Sequence, residues 1–405
     1  MEPIILMAWL EFAVRWVHVI TAIAWIGSSF YFIALDLGLH RDRALSSGAD
    51  GEQWQVHGGG FYHLQKYLVA PENLPTDLVW FKWESYSTWL SGFALLIIVY
   101  YYGAELYLVD PTVWDAPIWQ AIVVSLASLG FGWIAYNLTC KLFVNADQTA
   151  LMIALFVILV GVSWIYTQVF SGRAALLHLG AFTATIMSGN VFFIIIPNQK
   201  IVVADMKAGR QPAAIYGKIA KQRSTHNNYL TLPVIFLMLS IHYPLAFASE
   251  WNWLIASLVF LIGVLIRHFF NTMHQRGGHR WWTWGVSAAL FAVIVFLSVQ
   301  SMPLDAREEA TSSERVFIDA EGFEEVYSVV LSRCSMCHAE EPAWEGLGWA
   351  PQGVVLETPV QIARHAHAIY LQSAASIAMP PANVSYMEDQ ERVQIAAWYQ
   401  SVRSQ

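Results

Sequence analysis

Apolar residues gather along this chain into blocks of about twenty, each near the length that a bilayer core requires of a helix. The blocks fall at 8–36, 84–104, 117–140, 148–170, 174–197, 228–248, 252–274 and 281–300. They predict an all-α membrane bundle of about eight transmembrane helices. The first block is long enough to tilt or to begin on the membrane surface. Trp80, Trp83, Trp114, Trp119, Trp251, Trp253, Trp281 and Trp282 stand near block ends, where indole rings anchor at the lipid–water boundary. After residue 300 the pattern changes. Residues 301–320 are polar and acidic, with Pro303 and a Thr-Ser-Ser run, and read as a linker. Residues 321–405 read as a small helical domain, with one helix running into Cys334 and a last helix over roughly 388–402. Ile395, Ala396, Trp398 and Tyr399 are placed to pack that last helix inward.

Composition strengthens the membrane reading. The 405 residues are 56% hydrophobic and 13% charged, against roughly a quarter charged in soluble proteins. The net charge of −8 is unevenly spread: residues 301–405 hold 6 Lys+Arg and 15 Asp+Glu, the other 300 residues 16 and 15. The acidity belongs to the C-terminal domain, which argues against nucleic acid and suits a basic surface on a redox partner. Met1-Glu2-Pro3 lacks the basic start and cleavage site of a signal peptide, so the first block is expected to remain as a span. Lys and Arg concentrate in the connections at 37–83, 198–227 and 275–280, while 105–116 and 249–251 have none. The positive-inside rule puts the basic connections in the cytoplasm and both termini outside.

Cys334-Ser335-Met336-Cys337-His338 is C-x-x-C-H, the attachment pattern of c-type haem. Two thiols one turn apart reach the two vinyl groups of one porphyrin, and the next imidazole ligates the iron. The pattern uses two of only three cysteines. No second Cys/His pair with zinc spacing lies nearby. Cys140, within an apolar block, reads as packing. Met379, before Pro380 and Pro381, is the candidate second iron ligand, with Met387 and His367 behind it. Since haem c is attached outside the bacterial cytoplasm, the motif agrees with the charge bias. The expected location is a bacterial inner membrane, with a periplasmic class I-like cytochrome c domain.

Thirteen histidines are many for a membrane bundle, where ionisable groups are costly and usually mark a site. His18, His178 and His242 fall in the outer half and are candidate ligands of a b-type haem; each reads equally as a satisfied core histidine. At the inner side, His57 and His63 flank Gly58-Gly59-Gly60, a flexible loop or a close backbone approach to a ligand. Arg267-His268 and Asn271 to His274 share a helix face and belong to the same inner group, with a solvated helix end as the reading without chemistry. The most polar inner stretch joins Pro197-Asn198-Gln199 to Arg223-Ser224-Thr225-His226-Asn227-Asn228-Tyr229. Amides and a guanidinium suit a flat, oxygen-rich heterocycle, with Trp80, Trp83 or Tyr229 to stack on it. Arg223, His226 and Asn227 are the candidate substrate residues, and Glu84 the candidate proton-transfer acid. Helix capping and a head-group collar explain the same residues without chemistry.

At these residues the chain resembles the bacterial membrane-bound urate oxidases (urate hydroxylases) fused to a cytochrome c domain. The resemblance is carried by Trp16-Val17-His18 through Trp25-Ile26-Gly27, Trp80-Phe81-Lys82-Trp83-Glu84, Ile196-Pro197-Asn198-Gln199, and His226-Asn227-Asn228-Tyr229 through His242-Tyr243-Pro244. Cys334 to His338 and Met379-Pro380 complete it, so that it covers nearly the whole chain. The resemblance implies oxidation of urate to 5-hydroxyisourate, with electrons leaving through haem c to a soluble cytochrome c or terminal oxidase. It implies that Cys334 and Cys337 hold the haem and that His338 and Met379 ligate its iron. It assigns no urate-contacting residue. If urate binds at the inner surface, about 30 Å of bilayer separates it from haem c and a relay is required; at the outer face none is. A cytochrome subunit that carries electrons from quinol, without urate chemistry, is the competing reading.

Overall fold

The computed structural model describes residues 3–67, 71, 74–111, 113–143, 147–300, 309–347 and 349–403. The first helix, α1 (Pro3–Gly38), leads into a hairpin of β1 (Ala49–His57) and β2 (Gly60–Tyr67). Then come α2 (Trp83–Leu95), widened into a π-helical end over Leu96–Tyr101, α3 (Ala104–Tyr107), α4 (Ile118–Leu142) and α5 (Gln148–Thr167). Next, α6 (Gly172–Gly189) passes through a π-helical stretch, Asn190–Ile195, into α7 (Ile196–Lys207) without a break. The bundle closes with α8 (Ala214–Ser240), α9 (Pro244–Phe247), α10 (Asn252–His274) and α11 (Trp282–Gln300).

Among the described residues, six helices are long and apolar enough to cross a membrane, fewer than the eight expected. The expected second and sixth spans fall short because each is polar in its first half. In α2 that half carries Glu84, Ser85, Ser87, Thr88 and Ser91, although the winding continues through Leu96–Tyr101. In α8 the first half carries Lys218, Lys221, Arg223 and His226. Both still pack within the bundle, α2 against α1 and α8 against α6 and α10.

The hub is Gly172–Lys207: 67% of its apolar window is buried, against 6% for α1 at the edge. Small residues set this up. A Cβ on Gly132 would lie 2.1 Å from the Phe182 ring, and one on Gly189 2.1 Å from Trp133 Cδ1. Both glycines therefore let α4 and α6 approach with a large ring between them. Pro197 has no N–H to return to the preceding turn, which accounts for the widened winding before it. Pro233 also lacks an N–H, but α8 stays α-helical through it, and it is met by Gly263, whose Cβ would lie 2.5 Å from the proline ring.

The first connection is not the plain loop that its glycine triplet suggested. Trp54 pairs with His63 and His57 with Gly60 in an antiparallel ladder. Gly58 and Gly59 form the turn at φ 59° and 80°, the left-handed conformation that two-residue hairpins need. Their role is therefore conformational.

The C-terminal domain is helical: α12 (Ser312–Ile318), α13 (Phe323–Arg333), α14 (Pro359–Arg364), α15 (Ala366–Ile369) with a π-helical end, and α16 (Asp389–Arg403). Val326, Val330, Ile362, Ile395 and Trp398 form its core. Half of the expected linker belongs to this domain. Thr311 and Glu314 form a reciprocal cap on α12, and Trp398 donates to the Phe317 carbonyl at 2.9 Å. Residues 301–308 of the linker lie outside the described residues. The domain meets the bundle at the end where α8 finishes: a Cβ on Gly353 would lie 3.0 Å from Pro244.

Candidate functional site

Where α6 widens, Asn190 becomes fully buried and gathers α4 and α8 around it. Its Nδ2 donates to the Tyr136 hydroxyl and to Asn227 Oδ1, each at 3.0 Å. Asn227 Nδ2 in turn donates to the Met187 carbonyl at 2.9 Å. The Tyr136 hydroxyl, already accepting from Asn190, donates to His226 Nδ1 at 2.8 Å. That places the His226 proton on Nε2. One turn earlier on α8, Arg223 donates to Asn137 Oδ1 at 2.9 Å and lies 4.9 Å over the Tyr136 ring.

The structure thus brings together three of the sequence-predicted residues, Arg223, His226 and Asn227. Tyr136, Asn137, Asn190 and Trp133 join them without having been singled out. Their signal was available, since a tyrosine–asparagine pair and an isolated asparagine are conspicuous inside apolar blocks. Glu84 stands apart in the first turn of α2, with Oε2 buried and unpartnered.

The network is incomplete. Arg223 Nε and Nη1, Trp133 Nε1 and Asn190 Oδ1 are all buried without a hydrogen-bond partner. Such orphans cost about 1–3 kcal/mol each and call for an explanation in a native fold. Arg223 is 3% exposed and has no carboxylate partner among the described residues. A guanidinium with two open N–H groups, an indole N–H and an amide oxygen complement an anion that carries carbonyl oxygens and ring N–H groups. Beside them a cavity of about 60 Å³ touches Tyr136, Thr183 and His226 among apolar side chains. It has room for a water or two, so a bicyclic ring enters only as those side chains part.

A second buried guanidinium lies on the other side of α8. Arg267 donates through Nε and Nη2 to Asn228 Oδ1 at 3.2 and 3.1 Å, and through Nη2 to Asn271 Oδ1 at 3.0 Å. It sits 4.1 Å over the Phe30 ring. Arg267 and Asn271 are 6% and 5% exposed, so this face of α10 is interior, which sets aside the reading of it as a solvated helix end.

The three outer histidines have different surroundings. His178 is fully buried; its Nδ1 donates to the Ala174 carbonyl at 2.8 Å and its Nε2 accepts from the Ser125 hydroxyl at 2.7 Å. Iron could reach that Nε2 only if the serine bond broke. His18 lies between α1 and α2, with Nδ1 donating to the Thr88 carbonyl at 3.0 Å and its ring against Gly92. That leaves Nε2 as a lone pair, the tautomer a metal ligand needs. His242 is exposed at the end of α8.

In the C-terminal domain, Cys334 to His338 form one helical turn, with the His338 N–H bonded to the Cys334 carbonyl at 2.9 Å. His338 Nδ1 donates to the Val354 carbonyl at 2.8 Å, so Nε2 is again the lone pair. This backbone anchor is the usual support of a metal-ligating imidazole, and the residues fit a covalent haem c. Burial pushes the Cys334 thiol up to about 11, with Cys337 and Glu391 adding to it. Met379 is partly exposed, and its carbonyl accepts from Arg392 at 2.9 Å. Met387 is buried in the core, and His367 bonds to the Tyr399 hydroxyl at 2.8 Å. Met387 and His367 are thus engaged in the domain's own packing, and Met379 is the most accessible of the three.

No curated protein and no solved structure matches the chain. One family model, described as urate oxidase N-terminal, matches residues 4–298, which takes in α1 to α11 and stops before the haem-attachment pattern. The chain therefore belongs to the urate oxidase N-terminal family.

Proposed function

We propose that the bundle oxidises urate to 5-hydroxyisourate and that the C-terminal domain is a cytochrome c that carries the electrons away. The reaction balances as urate plus water giving 5-hydroxyisourate, two protons and two electrons. The observation that carries the reading is Arg223: a buried guanidinium with two open N–H groups, set against the Asn190–Tyr136–His226 chain. Arg223 binds the urate oxyanion, and Trp133 Nε1 and Asn190 Oδ1 read its remaining edge. A proton leaving urate passes to the Tyr136 oxygen as the Tyr136 proton moves to His226 Nδ1. Asn227, held by Met187 and Asn190, keeps Asn190 in place.

Bound to Cys334 and Cys337, with His338 and Met379 on its iron, haem c supplies a one-electron acceptor. By this reading the basic hairpin end is cytoplasmic, the C-terminal domain periplasmic, and the final acceptor a soluble cytochrome c or terminal oxidase. Tyr136 lies 18 residues from the start of α4, roughly 27 Å along the helix. That is too far for direct electron transfer to the outer end during turnover. The reading therefore expects a b-type band beside the c-type band in a pyridine haemochrome spectrum, with His18 the best-fitting ligand. A purely c-type spectrum would move urate oxidation to the outer end of the bundle. The main test is anaerobic mixing of urate with oxidised protein. Reduction of the haem c absorption supports the assignment. Haem that stays ferric under excess urate, while quinol reduces it, replaces the assignment with a quinol-linked cytochrome.

A further inference from the structure

The loop of residues 350–356 touches both the C-x-x-C-H turn and the membrane bundle. It holds His338 twice. The imidazole Nδ1 donates to the Val354 carbonyl at 2.8 Å, and the His338 carbonyl accepts from the Leu356 N–H at 2.7 Å. Ala350 and Leu356, at the two ends of the loop, are each 4% exposed. Between them the chain turns through two left-handed residues, Gln352 at φ 58° and Gly353 at φ 68°. The Gly353 N–H closes the turn on the Ala350 carbonyl at 2.9 Å. Gln352 thus holds a conformation that residues other than glycine seldom adopt. The loop is anchored at both ends, and its apex reaches the bundle.

There the bundle presents Pro244. A Cβ on Gly353 would lie 3.0, 3.6 and 3.9 Å from Pro244 Cγ, Cβ and Cδ, so the glycine rests on the proline ring with no room for a side chain. Pro244 is firmly backed. It opens α9, where the Ala248 N–H bonds to the Pro244 carbonyl at 2.8 Å. Ala246 and Phe247 pack against the main core of the bundle. The Phe247 carbonyl accepts from Asn252 Nδ2 at 3.0 Å, and a Cβ on Gly172 would lie 2.3 Å from it. The short helix is therefore wedged between the starts of α6 and α10, and Pro244 has little freedom to retreat.

Val354 follows Gly353 directly in the chain. A push on Gly353 is therefore a push on the carbonyl that orients His338. A carbonyl that accepts from Nδ1 makes the imidazole a more basic ligand. A more basic ligand favours the ferric form, so a weaker bond raises the reduction potential. Second-shell hydrogen bonding is one of the levers by which a protein sets that potential.

We propose that Pro244 is a positioning residue for haem c: by bearing on Gly353 it sets the hydrogen bond between His338 and Val354, and with it the potential of the iron that His338 ligates. The proposal rests on the reading of Cys334 to His338 as a haem c site and is independent of the substrate. It gives the bundle a part in the properties of the acceptor to which it is joined.

The test is potentiometric titration of haem c in the full-length protein in detergent, followed by the absorption of the reduced haem. Gly353→Ala drives a methyl against the Pro244 ring and should raise the midpoint. The ferrous-to-ferric ratio at a fixed potential should rise about fivefold, the scale of one hydrogen bond. That is about 40 mV at 59 mV per tenfold. Pro244→Ala removes Cγ and Cδ and frees the apex of the loop. It should raise the same ratio about twofold, for a bond weakened and not lost. In the double variant only the Cβ of residue 244 remains beside the new methyl, at 3.6 Å. Its midpoint should match that of Pro244→Ala alone, a non-additivity that marks the contact. An equal shift from Gly353→Ala with and without the proline ring overturns the proposal, because left-handed strain at residue 353 is then the cause. Unchanged midpoints in both single variants also overturn it, because the domain then moves as a body. If Gly353→Ala takes up no haem, Pro244→Ala decides alone, and an unchanged midpoint there overturns the proposal. Wild-type protein without covalent haem on denaturing gels removes the haem c reading, and this proposal with it.

Discussion

Replacing Arg223 by Met separates a structural role from a binding role. In the unliganded protein the substitution removes an Arg–amide hydrogen bond and a stacked guanidinium, at 2.9 and 4.9 Å. Those are worth about 1.5–3 kcal/mol and about 2 kcal/mol. It also removes a desolvated charge that costs several kcal/mol to bury and its two orphan donors. The terms nearly cancel, so Arg223→Met should change unliganded stability by no more than about 2 kcal/mol. With ligand the balance differs. Wild type at a urate concentration of 100 Kd gains about 2.7 kcal/mol, and Arg223→Met should lose that gain. Two missing contacts to a reacting anion should also lower kcat/KM by about 10²–10³. Thermal unfolding in detergent with and without urate, together with anaerobic haem c reduction, measures both quantities. Arg223→Lys serves as the charge-preserving control, with one compact donor group in place of the fork. A Met variant that keeps the full urate-induced stabilisation would refute the reasoning, whatever its activity.

Tyr136→Phe leaves His226 Nδ1 without its hydrogen bond, which costs about 1–3 kcal/mol. It should depress kcat more than KM, read from single-turnover reduction at several pH values. Gly189→Ala puts a methyl 2.1 Å from Trp133 Cδ1; the displaced indole should cost about 1–3 kcal/mol of stability and weaken urate binding, both measurable by ligand-dependent melting. Replacing Cys334 and Cys337 by Ala should abolish haem staining on denaturing gels while radiolabelled urate still binds. Burial, reinforced by Arg403, holds the imidazole of His367 below its ordinary value of 6.5. The folded domain then resists protonation that the unfolded chain accepts, so its stability should fall as pH drops below about 6.5. His367→Gln should flatten that dependence in urea titrations of the holoprotein.

Spans were legible where hydropathy was uniform. Helices α4, α5, α10 and α11 begin or end within a few residues of their expected limits. The reading failed where a helix changes character along its length. Gly172–Lys207 runs ten residues past the apolar block, because α7 continues the helical winding into polar sequence. Similarly, α8 starts at Ala214 and carries the site on its polar half, before the apolar block begins. The hairpin was hidden because β1 and β2 lack clean alternation, and their polar residues would be equally at home in a surface loop. Arg223, His226 and Asn227 could be named from their clustering alone. Tyr136 and Asn190 each stand out as polar residues inside apolar blocks, but what unites them is the crossing of α4 and α6 at the widened turn, and that register is tertiary.

The two buried arginines separate the mechanistic options more sharply than the histidines do. A cation inside a bundle is normally offset by a carboxylate, and the pair then serves structure or proton movement. Arg223 and Arg267 have amides and aromatic faces instead. Neutral dipoles hold a guanidinium in place without cancelling its charge, so the field of both groups persists in a medium of low dielectric. Such an interior repels cations and lowers the cost of admitting an anion from water. It also favours the deprotonated form of a bound acid, which is the form from which electrons leave a purine most readily. On the proposed function, a single arrangement accounts for selection of the substrate, for its ionisation and for four otherwise unpaired polar atoms. An acidic partner introduced beside Arg223, as in Asn137→Asp, would cancel the charge at 2.9 Å, and urate affinity should collapse while the helices stay packed.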